Sequence, residues 1–226
     1  MKKITFLLFI IFFVTVFSLQ AQKQFSGEIR FQTKLVGTTD PNLLASMDIQ
    51  FFDVSILGNK SKTVFKNEML SVANIWDGDK EIANMVIEVT GMGKYYKKWT
   101  TEQWKDKLKF SKFSFQYEND FKTICDYKCQ KVVVTITNLE DDSTEEQIYY
   151  ITKEIGSSKL NGEMPGLEGY PLMVMSLAEE LCEGCYRTLE AVKITPKKLK
   201  EVDFLLPSNA KSIDESPELK QMLRLE

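Results

Sequence analysis

The chain has 226 residues with 43% hydrophobic and 12% aromatic content, enough apolar side chain to build a real core, so a disordered chain is excluded. A formal net charge of −3 argues against nucleic acid and anionic membrane surfaces as partners, because both demand clustered positive charge. Histidine is absent, which removes Ser-His-Asp and Cys-His catalysis, imidazole-ligated metals and any imidazole pH switch.

The first element in chain order reads as an export signal. Met1-Lys2-Lys3 forms a positive n-region, Ile4 to Phe17 an apolar h-region, and Ser18-Leu19-Gln20-Ala21 ends in a small residue suited to signal peptidase. The apolar run is about 14 residues, short of the roughly 20 that a spanning helix needs, so cleavage is favoured over an uncleaved anchor. The expectation is a signal peptide over residues 1–21 and a single domain over 22–226, exported to the periplasm or beyond, with no transmembrane segment in the mature chain.

Next comes the clearest strand, from Gly27 to Val36, where Ile29, Phe31 and Leu35 alternate with Glu28, Arg30, Gln32 and Lys34. Asp40-Pro41 places a cap and a first-turn proline before a short helix over Asn42 to Met47. Ile49 to Leu57 changes apolar register at Phe51-Phe52, as a β-bulge would require. The two-residue period returns at Met85, Ile87 and Val89, at Phe113, Phe115 and Tyr117, and at Val132, Val134 and Ile136. Thr101 to Leu108 has the pattern of two helical turns, and Ser216-Pro217 repeats the cap and proline before a helix over Glu218 to Leu223. Turn signals separate these runs at Gly58-Asn59, Asp77-Gly78-Asp79, Gly91-Met92-Gly93, Glu140-Asp141-Asp142 and Glu183-Gly184. Short strands joined by tight turns predict a mainly β fold, an antiparallel meander with a few short helices.

Four cysteines fall in two close pairs, Cys125 with Cys129 and Cys182 with Cys185. In an exported chain an even set reads first as disulfides, with three connectivities open. Cys182 and Cys185 flank a two-residue turn, and opposed hairpin residues lie about 5.5 Å apart at Cα, within disulfide reach. A four-cysteine zinc site and a thiol-disulfide exchange site are the competing readings. The acidic groups Asp77, Asp79, Glu81 and Glu140-Asp141-Asp142 lack EF-hand spacing and read as charged hairpin tips. Gly91-Met92-Gly93-Lys94 lacks the reach and the hydroxyl of a P-loop. No catalytic residue, resident metal or cofactor emerges, so an enzyme is not expected.

The run Met164-Pro165-Gly166-Leu167-Glu168-Gly169-Tyr170-Pro171-Leu172, then Val192-Lys193-Ile194-Thr195-Pro196 and Phe204-Leu205-Leu206-Pro207, resembles a family of exported Gram-negative proteins of unknown function. Tyr127-Lys128-Cys129-Gln130-Lys131 is similar to the Lys-Cys-x-Lys step of the related GLPGLI family, and Pro165-Gly166-Leu167 to its name-giving motif. Met164 and Glu168 depart from that motif. More distantly, such proteins resemble the lipoprotein carrier LolA. The resemblance covers roughly the last hundred residues by motif, and it implies an open antiparallel half-barrel whose concave apolar side is plugged by short helices. It carries over no catalytic residue.

Several strands are apolar on both sides, among them Leu172 to Leu177 and Ile148 to Ile151, which suits either a covered sheet or a greasy cavity. The set expected on the inner face, and so to bind a lipid or other apolar ligand, is Ile29, Phe31, Leu35, Phe113, Phe115, Val132, Val134, Leu172 and Val174. The helices at Asn42 to Met47 and Glu218 to Leu223 are the expected plug. Three functions follow: a lipid or apolar-ligand binder of the envelope, a structural or partner-binding envelope module, and a dithiol redox protein.

Overall fold

Period-two segments joined by short turns ladder most readily with their sequence neighbours, and this chain does so in two meanders. The computed structural model describes residues 24–41, 43, 51–217 and 220. The first meander comprises β1 (Ser26–Val36), β2 (Phe51–Leu57), β3 (Lys60–Lys66), β4 (Leu70–Asp77), β5 (Ile82–Val89) and β6 (Gly93–Trp99). Helix α1 (Thr101–Leu108) leads into the second, made of β7 (Ser111–Ile124), β8 (Tyr127–Asn138), β9 (Thr144–Thr152), β10 (Tyr170–Leu177) and β11 (Tyr186–Pro196). The two-residue β12 (Lys211–Ser212) returns to pair in parallel with β6. An antiparallel ladder between β1 and β11, from Gly27 opposite Pro196 to Val36 opposite Tyr186, fuses the meanders into one sheet of twelve strands. Its ends, β12 and β7, do not pair with each other, so the sheet is an open half-barrel. The mainly β, antiparallel architecture expected from the sequence is the one observed.

Local chemistry sets the joints. Thr100 caps α1 with its hydroxyl accepting from the Gln103 amide, while the Gln103 side chain accepts from the Thr100 amide, a reciprocal capping box that also turns Trp104 inward. Cys125 and Asp126 both take positive φ, 48° and 70°, in the two-residue turn between β7 and β8, as a tight hairpin of the primed type requires. The bulge expected at Phe51-Phe52 is not there. Pairing of β2 with β1 runs unbroken from Ser26–Leu57 to Gln32–Phe51, and the extra residue is instead Val192 of β11, across from the Arg30–Phe31 step. The change of register read at Phe51-Phe52 reflects aromatic stacking along the sheet, with Phe52 between Phe31 and Phe65 at centroid distances of 5.3 and 4.7 Å.

Apolar residues are covered on both faces. On the inner face Ile29, Phe31, Val54 and Ile56 pack with Ile155 and Leu160 from the connection between β9 and β10. On the outer face Ile75 and Val86 are covered by Phe204, Leu199 and Leu206, which follow β11. This explains why so many strands are apolar on both sides. The expected signal segment and the expected plug helices lie outside the described residues, apart from Leu43 beside Leu35 and Lys220, whose amide donates to the Ser216 carbonyl. No helix among the described residues is long and apolar enough to cross a membrane.

Candidate functional site

The long connection between β9 and β10, residues 153–169, crosses the open side of the half-barrel as a strap. Its apolar residues point into the sheet: Ile155 and Leu160 join the central cluster, while Met164 and Leu167 pack on Val132, Val134, Tyr149 and Ile151. Within the strap the buried Asn161 side-chain amide donates to the Leu167 and Gly169 carbonyls at 2.8 and 2.7 Å, which folds the Pro165-Gly166-Leu167 segment into a compact turn. That segment is therefore the part of the strap that anchors it.

At its far side the strap is held by tryptophan. The Trp76 indole N–H donates to the Lys159 carbonyl at 2.6 Å and that of Trp104 to the Gly162 carbonyl at 2.8 Å. Two glycines permit this approach. A Cβ on Gly78 would stand 2.0 Å from the Lys159 carbonyl oxygen, and one on Gly162 within 2.6–2.7 Å of the Trp76 ring. Lys159 also reaches Asp79 at 2.9 Å, and Asn59 donates to the same carboxylate oxygen at 3.0 Å. These two hydrogen bonds, Lys159 first, hold the Asp79 carboxyl below the usual carboxylate range. Most of the acids read as charged turns have partners: Asp77 pairs with Lys60, Glu81 with Lys105, and Asp141 accepts from Ser143. Among the described residues no group of three or more His, Cys, Asp or Glu is placed to hold a metal ion.

A groove lies along each flank of the strap. One, of about 660 Å3, has Trp76, Trp104, Leu108 and Pro165 as apolar lining and Lys105 and Lys159 at its rim. The other, of about 560 Å3, runs between Phe25, Gly58 and Asn59 on the sheet side and Ser157 and Glu168 on the strap. Two of the three tryptophans of the chain, Trp76 and Trp104, line the first groove with ring centroids 5.4 Å apart, and the third, Trp99, stands edge-on to Trp104 at 6.5 Å. Trp76 and Trp104 were not in the expected set. The sequence signal was faint: a tryptophan beside a charged turn and another on a capped helix.

The expected inner-face set shares one face. Directly paired residues project to the same side, and the row Tyr117–Val132–Tyr149–Val174–Leu189–Thr33 ties β7 to β1. Phe113, Phe115, Val134, Ile29, Phe31 and Leu35 stand at even spacing from that row on their own strands. Leu172 departs from it, as the residue without a β9 partner where the β10 register shifts between Pro171 and Met173. The set does not form one chamber. Ile29, Phe31 and Leu172 belong to the central cluster, Val132 and Val134 with Phe115 and Val174 to a second, and Leu35 to a third with Ala178 and Cys185. Phe113 is half-buried near the β7 edge. None of the nine lines either groove.

Cys182 and Cys185 are bridged, with Cα atoms 5.4 Å apart. They do not face each other across a two-residue hairpin; the β10–β11 ladder ends at Leu177 opposite Tyr186, and both lie in the longer connection, closed by the Ala178 amide donating to the Cys185 carbonyl. Cys125 and Cys129 are free thiols, which corrects the expectation of a bridge at all four positions. The physical reason is the hairpin between them. Cys125 sits in its turn and donates to the Ala191 carbonyl at 3.3 Å, while Cys129 is fully buried on β8 opposite Lys122. Burial pushes the Cys125 thiol up and the Cys129 thiol up to about 11, which withholds the thiolate that exchange chemistry needs. Alkylation under denaturing, non-reducing conditions should therefore label two cysteines per chain, Cys125 and Cys129. Because the Cys129 proton is held more tightly in the folded than in the unfolded chain, its contribution to stability is complete below pH 9 and lost as pH rises towards about 11. A urea midpoint falling over that window, less so in Cys129→Ser, is the expected record.

No protein-family model matches the chain, and no curated protein matches it.

Proposed function

We propose that this is an exported protein of the cell envelope that binds a lipid or other apolar ligand on the inner face of its half-barrel, beneath or beside the strap. The observation that carries this reading is the strap itself. Its Ile155, Leu160, Met164 and Leu167 fill the apolar inner face as a ligand chain would, yet across the groove it is held largely by indole N–H groups and one exposed ion pair, contacts that a ligand can exchange for its own. An acyl chain that displaced those side chains would gain roughly 25 cal/mol per Å2 of apolar surface buried. Export rests on the charged n-region and apolar run at residues 1–21, and the Cys182–Cys185 bridge suits an oxidising compartment. The likeness to the GLPGLI family and to LolA points the same way.

The dense packing of Ile29, Phe31, Val132, Val134 and Leu172 favours a second reading, a structural or partner-binding envelope module in which the strap never leaves. Trp76 and Trp104 report directly on the difference. Titration with a long-chain fatty acid below its micelle concentration should give a saturable change in tryptophan emission that is largely lost in Trp76→Phe. If emission stays flat while circular dichroism shows the fold intact, the ligand-binding reading fails and the structural module takes its place.

A further inference from the structure

We infer that β7 is the self-association edge of this protein, pairing antiparallel with β7 of a second copy about a twofold axis at Phe115. The two edges of the sheet are treated differently. At one, β12 adds a short parallel strand over β6, and the segment from Leu199 to Leu206 wraps the adjoining outer face. At the other, β7 pairs on one side only among the described residues, with β8, and its remaining backbone groups face outward. The second half of β7 carries its own protection, since the register with β8 jumps between Tyr117 and Phe121 and leaves Glu118, Asn119 and Asp120 unpaired as a bulge. No such device guards the stretch from Lys112 to Tyr117.

That stretch is self-complementary in one register. Centred on Phe115, antiparallel pairing sets Phe113 opposite Tyr117 of the second copy and Phe115 opposite itself, all on the inner side. Lys112 then stands opposite Glu118, twice by symmetry, on the outer side. Side assignment follows from the partners within the sheet: Lys112 pairs with Thr137, Glu118 meets Lys131 at 3.0 Å, and Thr137 and Lys131 share one face of β8. A twofold at Ser114 would set Lys112 against Gln116 and lose both ion pairs, and one at Gln116 would carry the ladder itself past Tyr117 into the bulge, whereas the Phe115 register ends its ladder at Tyr117 and reaches the bulge only at its first side chain, Glu118. The pairing would cover Tyr117, now 38% exposed, and the half-buried Phe113 and Phe115, and would make the inner faces of two half-barrels continuous. A five-residue ladder is smaller than a standard interface, so the dimer is expected to be reversible.

Sedimentation velocity of the mature chain from about 5 to 200 µM tests this, a span that brackets micromolar association. The wild type should move from monomer towards dimer across the range. Lys112→Glu, which places a second carboxylate against that of Glu118, should weaken association at least about tenfold, and the charge swap Lys112→Glu with Glu118→Lys should recover part of that loss, because the introduced lysine also faces Lys131 of its own chain. Circular dichroism checks that each variant is folded. A wild type that stays monomeric at the highest concentration overturns the proposal, as does a dimer indifferent to Lys112→Glu. Lys112 makes no contact with the strap or its grooves, so ligand titration of the same variant separates this result from the outcome at the groove.

Discussion

Gly78→Ala should lift the strap from the sheet and lower the stability of the fold by about 3 kcal/mol, the sum of an overpacking cost and a lost hydrogen bond. The added methyl would sit 2.0 Å from the Lys159 carbonyl oxygen and 2.9 Å from that of Asn59, so backbone confronts it from two sides and no side chain can swing away. Moving Lys159 breaks its bond from the Trp76 indole and draws its ammonium from Asp79. Gly162→Ala is the graded comparison, because the atoms it meets belong to the Trp76 ring, which can tilt, and a smaller loss is expected. Guanidinium unfolding followed at tryptophan emission measures both, with a shift to longer wavelength in native Gly78→Ala as Trp76 and Trp104 gain water. An unchanged midpoint for Gly78→Ala would show that the strap is not seated on the β4–β5 turn.

Leu167→Ala should cost about 3 kcal/mol, the middle of the range for emptying a fully buried leucine site. Leu167 is 1% exposed and packs on Val132, Val134, Tyr149 and Ile151, at the point where the Leu167 and Gly169 carbonyls, both accepting from the Asn161 side-chain amide, hold the turn closed. Its neighbour Glu168 makes an ion pair with Lys153 in which both side chains are about two-thirds exposed, so Glu168→Ala should change stability by less than about 0.5 kcal/mol. The contrast between adjacent positions separates an anchoring leucine from a generally conformation-sensitive loop. Leu167→Ala also empties apolar volume on the inner face, and if that face takes a ligand the variant should bind the same fatty acid more tightly than the wild type. Equal stability of the two variants would remove the segment from the anchoring role.

Much of the secondary structure was legible because it is written at short range. The alternation in Gly27 to Val36 and in Val132 to Ile136, and the two-turn pattern of Thr101 to Leu108, each specify their element within a few residues. The shared inner face of Ile29, Phe31, Leu35, Val132, Val134 and Val174 was legible for the same reason, since a period of two assigns faces strand by strand. What misled was also local: the apolar shift at Phe51-Phe52 has the signature of a bulge, but a bulge is a property of two strands, and only the pairing of β1 with β11 places it at Val192.

From the sequence alone follow a mainly β chain, the faces of its strands, the proximity of Cys182 to Cys185, and the absence of any imidazole chemistry. Tertiary structure alone decided that the meanders join through β1 and β11, that residues 153–169 cross the open side, and that Trp76 and Trp104, far from the strap in sequence, hold it there. The reason is the range of the interactions. Periodicity and capping act between residues a few positions apart, whereas the strap is seated by backbone carbonyls of Lys159 and Gly162, groups every residue possesses and which no side-chain pattern announces.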